Sequence, residues 1–276
     1  MAGNDDGAVE FILEKPKEAP ANVPRRVGCR TPEVEVFILR SGATTVETTV
    51  AYNVHVAGNW IRQIQRHPSS RRTPLSASLL CIHGLLPSRK HYDFTQPKGP
   101  TANPGHPSNP ICAIALCVGG SHCLIVNHRA HLYHYETFTF PKNHPLCVFL
   151  ADKKLRVAGP GLPAQAQQLE MEWAVQVNRP LDLHEVVARA HGKDEVWVSK
   201  KKKGKVVTEA IGVEHMAALA LGGMRVNERP ASLLAPSNCN WGYHLVSEEL
   251  IKYTARDAYL CYEIGFKCLE KTGSST

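Results

Sequence analysis

Three short apolar runs constrain this chain more than anything else in it: "ASLLCIHGLL" at 77–86, "ICAIALCVGG" at 111–120 and "HCLIVNH" at 122–128. Each has the length of a strand, and none alternates between apolar and polar residues, so all three predict central strands covered on both faces. The "GGS" between the last two predicts an antiparallel hairpin. A sheet covered on both sides needs helices, and the rest of the chain supplies them. "VEVFILR" and "TTVETTVAY" read as a strand pair joined by "SGA", and "VAGNWIRQIQRH" as a helix with Val56, Trp60, Ile61 and Ile64 on one side. From about residue 145 the pattern alternates. "PLCVFLADKK" is helical, "LRVAG" a strand, "PAQAQQLEMEW" a helix, "AVQVN" a strand and "DLHEVVARAH" a helix, with "GVEHMAALALGG" and a long final helix after them. This order predicts an α/β fold with a mixed central sheet flanked by helices. Residues 1–32 ("EKPKEAPANVPRR" among them) lack periodicity and are expected as a flexible leader to a folded domain over 33–272. The segment 87–110, with six prolines, reads as a long loop.

The net formal charge of +7 matters through its placement. Its densest run is "SKKKKGK" at 199–205, with Lys200, Lys201, Lys202 and Lys203, inside an expected inserted hairpin or loop over 192–211, and "RHPSSRR" at 66–72 is a second. Both permit a polyanionic partner, and both also suit a solvated surface. A lysine run also serves as a nuclear address. Nine cysteines, several inside apolar runs (Cys81, Cys112, Cys117, Cys147), together with an acidic N-terminus that lacks an apolar core, fit reduced thiols in an intracellular protein of nucleus or cytoplasm. No apolar run reaches the length of a membrane span. The cysteines and histidines of "CAIALCVGGSHCLIVNHRAHLYH" lack the close pairs of a zinc site. "GPGLP" at 159–163 lacks the lysine and spacing of a P-loop, and no nucleophile elbow is present.

In the final helix Leu250, Tyr253, Asp257, Cys261, Ile264 and Cys268 share one face by three- and four-residue spacing. Ser247 as N-cap, Glu248 and Glu249 in the first turn and Lys267 and Lys271 near the end support the helix. Asp257 thus falls on an apolar stripe, where a carboxylate needs a partner. It either ligates a divalent cation, with the Tyr253 phenol one turn away orienting a water, or bonds to a neighbouring backbone or basic group.

With "GVEHMAALALG" and "NW" before it, "SEELIKYTARDAYLCYEIG" resembles the third motif of the DEDDy-type 3′-5′ exonucleases, in particular plant proteins similar to the Werner-syndrome exonuclease domain. The resemblance spans roughly residues 33–271, and its Y-x-x-x-D signature is Tyr253 and Asp257. It implies a ribonuclease H-like fold, two Mg2+ or Mn2+ ions held by four acids, and single-stranded or 3′-end nucleic acid, DNA or RNA, as partner. The chain departs from that pattern. The D-x-E motif falls on Ile82 and Gly84, or on His83 and Leu85 in the next register, and the second-motif aspartate falls on Ala164. Asp93 and Asp182 are the nearest other acids, on the proline-rich loop and before a helix. These departures imply a catalytically impaired relative that binds nucleic acid. The alternatives are an active exonuclease with substitute ligands and a protein-interaction relic.

Overall fold

The computed structural model describes residues 8–16, 33–67, 74–83, 111–127, 139–202, 205–230, 233 and 246–273. Among these, β2 (Val34–Ser41) and β3 (Thr44–Ala51) form the expected hairpin. The three apolar runs become β4 (Ala77–His83), β5 (Ile111–Val118) and β6 (His122–Val126), with the last two antiparallel across the glycine turn. They are the centre of an eight-stranded mixed sheet. Adding β1 (Ile12–Glu14), β7 (Val157–Gly159) and β8 (Pro180–Asp182) gives the order β1-β2-β3-β6-β5-β4-β7-β8. Pairing is parallel at β3/β6, β4/β7 and β7/β8 and antiparallel elsewhere.

Two differences from the expectation have physical causes. Residues 1–32, expected as a leader, supply β1: Phe11 is buried, and the Val9 N–H donates to the Arg225 carbonyl at 2.7 Å. "AVQVN" is not a strand. Val175 and Val177 are buried, but Ala174 and Arg179 both take positive φ, and the Asn178 N–H bonds to the Leu150 carbonyl rather than to a ladder. The third strand of that layer is β8 instead.

The sheet carries a core on each face. On one pack α1 (Val54–Ile64), α2 (Pro145–Leu150) and α3 (Leu162–Trp173), against Ile114, Leu116 and Val118 of β5. A short helix α5 (Lys193–Val196) lies beyond α4 (Leu183–His191), and on the other face of the sheet α4 packs with α6 (Val213–Ala220) and α7 (Glu248–Gly273). There β5 presents Ala113, Ala115 and Cys117. Large residues on one face and small ones on the other let the longest helix lie close to the sheet. The Ser78 hydroxyl fixes it there, donating to the Ala258 carbonyl at 2.6 Å.

The α5 helix leads into β9 (Trp197–Lys202) and β10 (Lys205–Ala210), a separate antiparallel ribbon where the basic insertion was expected. No described helix is long and apolar enough to cross a membrane.

Candidate functional site

The α7 helix starts as its sequence predicts, with the Leu250 N–H donating to the Ser247 hydroxyl at 3.2 Å. From Thr254 to Tyr262 every residue is buried, so the middle of α7 is enclosed all round rather than on a stripe. That explains why two adjacent charges, Arg256 and Asp257, are both inside. Arg256 is 2% exposed and Asp257 9%.

Both oxygens of Asp257 are engaged by arginine. Oδ1 accepts from Arg256 Nε at 2.8 Å and lies 2.6 Å from its Nη2, while Oδ2 accepts from Arg229 Nη2 at 2.7 Å. Arg256 is itself fully used: Nη2 also reaches Glu214 Oε1 of α6 at 2.6 Å, and Nη1 donates to the Asn227 carbonyl. Two cations and two anions make a neutral cluster joining α6, the segment after it and α7. Burial pushes the Asp257 carboxyl above its ordinary value, against the downward pull of Arg256 and Arg229. Tyr253 lies outside the cluster's bonds, its ring under the Arg256 guanidinium at 4.7 Å and the Lys252 ammonium at 5.0 Å.

The other expected positions are scattered. Ile82 is the last residue but one of β4, beside a bulge, and packs on the same core as α7. Ala164 is exposed in the first turn of α3, a helix on the opposite face of the sheet. Asp182 caps α4: its Oδ1 accepts from the N–H groups of His184 at 3.0 Å and Gly161 at 3.1 Å, so it has an architectural task. Lys200, Lys201 and Lys202 lie on β9. Gly84, Leu85, Asp93, Lys203 and the arginines of "RHPSSRR" beyond residue 67 lie outside the described residues, as does the whole proline-rich segment 87–110.

These residues do not fit a two-ion centre. Magnesium demands oxygen ligands in a near-ideal octahedron. Ile82 and Ala164 offer none, and the Asp257 carboxylate is filled by guanidinium, which places positive charge where an ion would have to sit. Among the described residues no group of three His, Cys, Asp or Glu side chains converges. Two of the described thiols are unsuited to chemistry as well: burial pushes Cys81 and Cys123 up to about 12. Sequence pattern did not mark Glu214, Arg229 or Arg256. The signal available was Arg256 directly beside Asp257, because a cation adjacent to a buried acid in an enclosed helix has few other partners.

The chain matches no protein-family profile and no curated protein. Solved structures do resemble it. The catalytic core of RRP6 from Trypanosoma brucei aligns over 82% of this chain and 48% of its own, at 9% identity and a TM-score of 0.50. Brucella melitensis NrnC covers 75% of this chain and 79% of its own, at 10% identity and 0.46. The EXD2 exonuclease domain, in a crystal soaked in Mn and GMP, covers 82% and 91% at 15% identity and 0.35. At 9% identity the likeness to the RRP6 core is one of fold alone, the ribonuclease H-like arrangement of a mixed sheet flanked by helices.

Proposed function

We propose that the chain binds single-stranded or 3′-end nucleic acid on an exonuclease scaffold of the DEDDy type, similar to the plant Werner-like proteins, without two-ion hydrolysis. One observation carries this reading: the surviving third-motif acid, Asp257, spends both oxygens on Arg256 and Arg229. The apolar side chains at Ile82 and Ala164 support it. A groove that loses its ions keeps phosphate contacts and stacking surfaces, and its affinity falls as salt rises. The lysine run suits a nuclear or cytoplasmic protein that meets such a partner.

The test monitors binding and 3′ shortening of labelled single-stranded and recessed-end DNA and RNA in one sample, with Mg2+ or Mn2+ and with EDTA. Salt-sensitive binding without shortening is expected under all three conditions. Metal-dependent shortening that Asp257→Asn abolishes would overturn the reading in favour of an active nuclease. Absence of binding would overturn it in favour of a protein partner.

A further inference from the structure

Between α4 and the base of the β9–β10 ribbon lies a cleft of about 530 Å³ lined by Glu185, Ala188, Arg189, Lys193 and Trp197. Trp197 is half-buried, packed on the α7-side core while also forming the cleft wall. Arg189 and Lys193 stand exposed on either side of the chain's turn at Gly192. The acid in the cleft, Glu185, is held at 3.5 Å by Arg189.

The ribbon continues this chemistry. Lys202 and Lys205 occupy directly opposed register positions, and Lys200 and Lys201 precede them on β9. A two-stranded ribbon is marginal on its own. From residue 185 to 205 the chain holds seven Lys and Arg against three Asp and Glu.

We propose that this cleft forms a binding site for single-stranded nucleic acid, with an unstacked base on the Trp197 ring and successive phosphates on Arg189 and Lys193. An aromatic platform flanked by cations is the arrangement that holds single strands without reading sequence. The proposal rests on the nucleic-acid-binding reading above and places that contact away from the Asp257 cluster.

Titration with a labelled oligothymidylate, read by anisotropy and by tryptophan fluorescence, tests it. Base stacking is expected to quench wild-type emission, and Trp197→Phe to remove most of the quench while retaining most of the affinity. The paired charge reversals Arg189→Glu and Lys193→Glu, both on exposed side chains, are expected to weaken binding about tenfold or more at moderate salt. An unlabelled duplex of equal length is expected to compete poorly. If binding persists with affinity unchanged by the reversals and quenching unchanged in Trp197→Phe, the site lies elsewhere while the proposed function stands. If the wild-type chain binds no oligonucleotide, both fall.

Discussion

At the scale of single residues, the decisive feature is a buried acid whose partners are arginines. Removing one member of such a cluster strands the others, which costs more than the intact pair contributes. Asp257→Ala leaves Arg256, 2% exposed, with Glu214 as its one carboxylate partner in the cluster, and is expected to lower unfolding free energy by about 3–5 kcal/mol in urea titrations. Arg229→Ala removes a more exposed side chain, 21%, and should cost less. Because guanidinium supplies the positive charge, EDTA should leave the wild-type urea midpoint unchanged. A midpoint that falls with EDTA would mean that a bound ion stabilises the fold. Sequence spacing alone marked Asp257 as a buried carboxylate that needed a partner. It could not supply the partners, since Arg229 lies 28 residues from Asp257 and Glu214 lies 42 from Arg256. Only the packing of α6 on α7 brings them together.

Among the elements, the turn from β7 into α3 has the narrowest tolerance. Its sequence lacks the lysine and spacing of a P-loop, and its first glycine answers to packing. A Cβ on Gly159 would sit 2.1 Å from the Leu79 carbonyl oxygen, so β7 can lie beside β4 only without a side chain there. Gly159→Ala is therefore expected to destabilise by about 1–3 kcal/mol, checked by the shift in thermal midpoint. The central strands and most helices were legible because continuous apolar runs and helical spacing report burial directly. "AVQVN" misled for the same reason: Val175 and Val177 are buried as strand residues would be, but periodicity does not reveal that the backbone at Ala174 and Arg179 turns left-handed. The β1 strand escaped notice because three residues of pairing leave almost no pattern.

For the molecule as a whole, acid sensitivity should begin well above the carboxylate range. Burial holds His122, His144 and His191 below their ordinary value of 6.5. A base with a depressed pKa in the fold gives stability that is complete above 6.5 and is lost as pH falls from there through the lower value it has in the fold. His144 has a visible reason: its Nδ1 accepts from the Leu146 N–H at the start of α2 while Nε2 bonds to the Val54 carbonyl, and a proton on Nδ1 breaks the cap. Urea midpoints are expected to fall as pH drops from above 6.5 to below it, and His144→Gln should flatten part of that slope. The sheet's two outermost strands have a consequence of another kind. Each is three residues long, and β8 opens with Pro180, so neither offers a stretch on which a foreign strand could grow. Cutting away the first 16 residues would change that. It would uncover the edge of β2 at Ile38, Leu39 and Arg40, on the side away from β3, and so lengthen the stretch open to a foreign strand and favour edge-to-edge self-association.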